Sequence, residues 1–220
     1  MSQSDPASVP ASRQDLFDRL DELAITTSTI EHDAVFTVAE SSVLERDIAG
    51  AHTKNLFLKC KKGRLFLLVA LNNAEINLKQ LHKILGCGRL SFGKPELLMQ
   101  VLGVRPGSVT PFSLINDRDA RVTVILDEPM MREEILNYHP LENTATTSIA
   151  RGDLIRFVRS CGHDPHIMLV SGPEAAEPAN PLLDQKSNRR SEPWNRFDTA
   201  QSCVAKRSEA IRNLPGEDET

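Results

Sequence analysis

The chain has 220 residues, 40% of them hydrophobic, which is enough for the core of one ordinary domain plus a tail. Its longest uninterrupted apolar run, residues 65–71, is far short of the ~20 residues of a membrane span, and the start Met1-Ser2-Gln3-Ser4-Asp5 has no basic segment leading into an apolar one, so a cytosolic protein with no membrane contact is expected. Four cysteines, Cys60, Cys87, Cys161 and Cys203, lie far apart without a C-x-x-C, which excludes a zinc ribbon and argues against a disulfide framework; the net charge of -4 argues only weakly against a nucleic-acid partner.

Residues 1–11, rich in Ser, Pro and Ala, are expected to be a disordered leader. Ser12 with Asp15 three positions on forms a capping box, and Leu16, Phe17, Leu20 and Leu23 recur at helical spacing, so 12–24 is a predicted helix. The β-branched run 26–31 predicts a strand. Thr37 with Glu40 opens a second predicted helix running to Ile48 before Gly50. Residues 55–60 and 64–71 predict a hairpin turned by Lys61-Lys62-Gly63. Helices are predicted at 78–85, closed by Gly86, and at 95–102, opened by Pro95 and closed by Gly103. A second hairpin-like pair is predicted from 112–116 and 121–126 about Asp117-Arg118-Asp119. Short strands at 134–138 and 144–149, a helix at 150–161 and a strand at 166–170 complete the pattern.

Hairpins mixed with helices, without strict βαβ alternation, imply an α+β domain over 12–170 with a mixed, mainly antiparallel sheet. Beyond it, 171–220 is Pro-rich at its start, acidic at its end and expected to be mostly disordered, with one possible short helix near 198–213.

Charge is unevenly distributed. From Lys54 to Lys94 there are nine basic residues and one acid, Glu75, an electrostatic footprint suited to a phosphate backbone, with Lys59, Lys61, Lys62, Arg64 and Arg89 its candidate contacts. Three polar, turn-rich segments stand among the apolar strands: Thr53-Lys54-Asn55, Gly107-Ser108-Val109-Thr110-Pro111, and Tyr138-His139-Pro140 leading into Asn143-Thr144-Ala145-Thr146. Small side chains beside Gly or Pro suit loops whose N–H groups approach a ligand closely. No G-x-S-x-G elbow or other nucleophile signature is present. His163 and His166 form H-x-x-H, but Pro165 lies between them and no helix is expected there, so a shared metal face is not.

These three segments, with Phe112 and Leu114-Ile115-Asn116-Asp117, resemble the YbaK/prolyl-tRNA-synthetase-associated editing domains, and within them the free-standing ProX/PrdX-type deacylases that clear alanine from proline tRNA. The resemblance spans about residues 12–170 and implies a barrel-like sheet surrounded by helices, without cofactor or metal. It implies that Lys54, Asn55 and His139 serve catalysis, and that Gly107, Ser108, Val109, Thr110, Pro111, Asn116, Asn143, Thr144 and Thr146 bind substrate. The implied partners are the acceptor end of proline tRNA and possible contact with prolyl-tRNA synthetase, by a protein expected to be monomeric. Hydrolysis would proceed by a positioned water and a stabilised oxyanion, without a covalent nucleophile. A noncatalytic tRNA- or aminoacyl-binding module, or editing of cysteine or serine, are the alternatives.

Overall fold

The structure, a computed structural model, describes residues 9–33, 48–172 and 175. Helix α1 (Arg13–Glu22) begins at the expected cap: Ser12 Oγ accepts from the Asp15 N–H while the Asp15 carboxylate accepts from the Ser12 N–H. Leu16 and Leu20, one turn apart, are its buried face. Strand β1 (Thr27–Glu31) follows. The helix predicted from Thr37 lies outside the described residues except at its end, as do most of the leader and the possible tail helix.

Strands β2 (Ala51–Cys60) and β3 (Leu65–Leu71) form the expected hairpin, whose turn places Gly63 at φ +87°. Six consecutive residues of β3 are buried, because both its faces are covered. Leu65, Leu67 and Val69 enter the larger core, while Phe66 and Leu68 enter a smaller one with Leu58, Leu81 and Leu85. Helix α2 (Leu78–Ile84) is capped by the Asn77 side chain, which accepts from the Lys79 N–H. Strand β4 (Leu90–Phe92), not anticipated from the sequence, pairs with the far end of β2. Helix α3 (Pro95–Leu102) ends at Gly103 with φ +66°.

One expectation fails here. Residues 112–116 do not form a strand but belong to a 3-10 helix, Pro111–Asn116. Pro111 has no N–H for a ladder, the Thr110 hydroxyl accepts from the Phe112 N–H at 3.3 Å, and the Ser113 N–H donates to the Thr110 carbonyl at 3.1 Å. These local bonds outcompete strand pairing. Strand β5 (Val122–Asp127) therefore has no hairpin partner before it and instead pairs in parallel with β3 and with β8 (His166–Met168). A second 3-10 turn, Met130–Arg132, leads to β6 (Ile135–Tyr138), β7 (Ala145–Ala150) and helix α4 (Arg151–Ser160).

The eight strands of the described residues run β1-β7-β6-β2-β3-β5-β8, with β4 also on β2. Pairings β1–β7, β6–β7, β2–β3 and β2–β4 are antiparallel, and β2–β6, β3–β5 and β5–β8 are parallel, so the sheet is mixed and mainly antiparallel as expected. Residues from β2, β3, β5, β6 and β7 meet α1, α3 and α4 in the larger core.

Candidate functional site

The sheet divides at the middle of β2. Across an antiparallel pair, bonded and non-bonded residue pairs alternate. The Asn72 N–H donates to the His52 carbonyl at 2.8 Å and the Cys60 N–H to the Arg64 carbonyl at 3.0 Å, so the even-numbered residues of β2 bond to β3. The odd-numbered ones turn their N–H and C=O to the other edge, where the Phe57 carbonyl accepts from the Gly93 N–H at 2.9 Å. That edge is paired with β6 only at Ala51 and His52, and with β4 only at residues 58–60. Between these partners Asn55 presents its backbone N–H and C=O to a gap in the sheet.

Side chains alternate along the same strand. Thr53, Asn55 and Phe57 face the larger core, and Lys54, Leu56 and Leu58 the smaller. Thr53 Oγ1 donates to the Asn137 carbonyl at 3.0 Å and lies beside Tyr138, whose phenol burial pushes far above its ordinary pKa. Asn55 Oδ1 is buried and has no hydrogen-bond partner. Such an acceptor is unfavourable unless a ligand satisfies it. The Lys54 ammonium crosses the opposite face and donates to the Ala74 carbonyl. Lys54 and Asn55, adjacent in sequence, thus leave the strand on opposite sides.

His139 lies just past β6. Its Nδ1 must donate to the Ala145 carbonyl at 2.9 Å, which leaves Nε2 as the acceptor of the neutral ring. Burial lowers its pKa, the Ala145 bond opposes that, and His32 adds to the lowering. His32 was not among the residues expected from sequence. Its ring centroid lies 6.0 Å from that of His139, and its Nε2 is 2.9 Å from Thr146 Oγ1, a contact between residues 114 positions apart that exists only because β1 pairs with β7. Thr146 is buried, whereas Asn143 and Thr144 form the turn before β7, the Thr144 carbonyl accepting from the His32 N–H at 2.9 Å. Arg13 fastens this corner by pairing with both Glu31 and Glu142.

The 107–111 loop leads into the 3-10 helix. Gly107 has φ +93° and open space where a Cβ would stand, so its backbone is freely approached. Ser108 and Thr110 are buried and Val109 packs on the larger core. Pro111 starts the 3-10 helix, and Phe112 beyond it packs edge-on against Tyr138 with centroids 5.8 Å apart, which anchors the loop beside the residue preceding His139. Asn116, expected to bind substrate, is placed otherwise: Oδ1 accepts from the Ala11 N–H at 2.7 Å and Nδ2 donates to the Leu102 carbonyl at 3.0 Å. Both ends of its amide are engaged in tying the segment before α1 to the end of α3.

Lys59, Lys61, Lys62, Arg64 and Arg89 are all exposed. Lys59, Lys61 and Arg89, with Cys60, Leu90 and Ser91, line an open groove of about 400 Å³ along the β2–β4 pair. Five residues of extended strand put Lys59 ~17 Å from Lys54. Arg64 stacks over Phe66 at 5.0 Å. His163 is buried, its Nδ1 donating to the Val122 carbonyl at 3.1 Å and its Nε2 3.6 Å from Asp117. Among the described residues no group of three or more His, Cys, Asp or Glu is placed to hold a metal, and no helix is long and apolar enough to cross a membrane.

Residues 32–157 match the family model of the aminoacyl-tRNA editing domain. The chain is 40% identical over 161 residues to prolyl-tRNA synthetase associated domain-containing protein 1 of Mus musculus, covering 71% of this chain and 95% of that protein. It is 35% identical over 152 residues to the prolyl-tRNA editing protein ProX of Acetoanaerobium sticklandii, covering 69% and 93%. A solved structure described as a candidate trans-editing enzyme for prolyl-tRNA synthetase superposes with a TM-score of 0.58 at 15% identity, over 77% of this chain and 99% of that one, a likeness of fold.

Proposed function

The chain belongs to the aminoacyl-tRNA editing domain family, and from that premise we propose that it is a trans-editing hydrolase that removes alanine from mischarged proline tRNA. The observation that carries this reading is Asn55, whose buried side-chain oxygen has no partner and whose backbone groups face the gap where β2 parts from β6 and β4.

An aminoacyl ester is already activated, so a held water and a stabilised oxyanion suffice. In the proposed reaction water attacks the ester carbonyl. The tetrahedral oxyanion is received by backbone N–H groups of Asn55 and of the 107–111 loop. The bond to the ribose oxygen then breaks, that oxygen takes up a proton, and alanine and free tRNA leave. Asn55 Oδ1 accepts from the one free hydroxyl of the terminal ribose, beside the esterified oxygen, and the oxygen of that same hydroxyl accepts from and orients the attacking water. Lys54 exchanges the Ala74 carbonyl for an acceptor-end phosphate, a point-charge contact suited to an ammonium. His139, Thr146 and the 143–144 turn enclose the aminoacyl group, with Ser108, Val109, Thr110 and Pro111 forming the opposite wall.

The basic groove meets the tRNA backbone some distance from the reacting ester. A synthetase pocket built for proline gains only ~1–3 kcal/mol against a side chain smaller by a methylene or two, so a second, smaller sieve is needed to remove alanine. The cytoplasm, where charged tRNA is used, is the proposed location, with prolyl-tRNA synthetase as a possible partner.

The test is deacylation of Ala-, Pro-, Cys- and Ser-tRNA(Pro) and of Ala-tRNA(Ala), by the native chain and by Lys54→Ala. Selective, Lys54-dependent release of alanine from proline tRNA is expected. Release of cysteine or serine instead would keep the reaction and overturn the specificity; binding of tRNA without any release would overturn the enzyme.

A further inference from the structure

The neglected group in the aminoacyl corner is His32. Its Nδ1 lies 2.8 Å from the Asp33 carbonyl, an oxygen that can only accept, so Nδ1 carries the proton. In the neutral ring Nε2 is then an acceptor, and the hydrogen of the 2.9 Å contact comes from Thr146 Oγ1. Thr146 has no other side-chain partner among the described residues, so its hydroxyl proton is directed at His32 and its lone pairs away from it. His139, 6.0 Å from His32 between ring centroids, is fixed in the same sense by the Ala145 carbonyl and offers a bare Nε2. Thr146 Oγ1, its proton turned towards His32, and His139 Nε2 are therefore both acceptors.

We propose that His32 is a positioning residue: by taking the Thr146 proton it makes Thr146 and His139 a pair of acceptors that selects the free α-ammonium group of the aminoacyl ester. This inference rests on the proposed function for the identity of the ligand, and adds how the site separates a free amino acid ester from one that lacks the ammonium. A cation with three N–H donors suits two acceptors, while an α-hydroxy or N-acylated ester offers one donor and no charge. Thr146 reads the ligand; His32 acts through it.

The experiment measures binding, not turnover, using the alanyl amide of 3′-amino-3′-deoxyadenosine and the matching lactyl amide, in which a hydroxyl replaces the ammonium. The native protein should prefer the alanyl compound by about tenfold or more, the range of a hydrogen bond to a charged group. His32→Ala and Thr146→Val should each abolish the preference, the double variant should lose no more than either, and His32→Gln, whose amide oxygen can still accept from Thr146, should restore most of it. Equal weakening of both compounds in His32→Ala with the preference kept, or no preference in the native protein, would overturn the assignment. Should the native protein bind the alanyl amide selectively yet release no amino acid from tRNA, the hydrolase reading fails and the role of His32 stands. If His32→Ala does not fold, His32→Gln decides: a native-like preference supports the proposal, and a complete loss overturns it.

Discussion

Replacing Asn55 with leucine should stabilise the free protein while abolishing its reaction. Asn55 Oδ1 is cut off from solvent and bonded to nothing, so the folded protein bears the desolvation of an amide oxygen without return. An unsatisfied buried acceptor costs ~1–3 kcal/mol, and replacing it by an apolar group of similar shape removes that cost. Leucine is close to asparagine in shape, and the face it would occupy is already apolar, with Phe57 and Val69 in the same core. Because Asn55 is only partly buried, the lower end applies, about 1 kcal/mol, or ~2–4 °C in Tm for a domain of this size. Deacylation should fall ~100-fold or more, the scale of one lost group that orients reacting atoms. Thermal unfolding with and without the alanyl amide checks both parts: the variant should melt higher alone, and the native protein should gain more from the ligand. A fall in Tm of several degrees for the unliganded variant would show that the oxygen is satisfied in the free protein and refute the reasoning.

Lys54→Met keeps the aliphatic stem and removes only the ammonium, so melting should change little while deacylation drops ~100-fold; full activity by single-turnover assay would exclude the phosphate role. Because burial holds the His139 pKa below the ordinary imidazole value of about 6.5, the unfolded chain binds more protons than the folded one as pH falls past that value, so His139 contributes a loss of stability towards acid and none above neutrality. KM for alanyl-tRNA should rise over the same acid range as Nε2 protonates, and His139→Ala should flatten the profile. Exchanging Lys59 or Arg89 for glutamine should weaken tRNA binding and lower the slope of log K against log salt by roughly one each, with hydrolysis of the short alanyl-adenosine ester unchanged. Asn116→Ala should cost ~1–3 kcal/mol of stability, through the unpaired Ala11 N–H and Leu102 carbonyl, with kcat/KM intact in the folded protein.

What could be read without coordinates was local or compositional. The cap at Ser12, the helix opened by Pro95 and closed by Gly103, and the apolar run of β3 depend on neighbours a few residues away, and chain and structure agree on them. The three polar segments were enough to identify the family. Where two local preferences competed, as at Thr110-Pro111, alternation in the sequence pointed to a strand, while the missing proline N–H and the Thr110 cap made a 3-10 turn. The rest depends on which strands become neighbours. The opening beside Asn55 exists because β6 leaves β2 after His52 and β4 joins it only at Leu58. The pairing of His32 with Thr146 needs β1 on β7, and the engagement of Asn116 needs the segment before α1 laid against the end of α3. Sequence spacing fixes the direction of a side chain within its own element; it carries no record of the element across the sheet, and that element decides whether an amide is a structural clamp or an open acceptor.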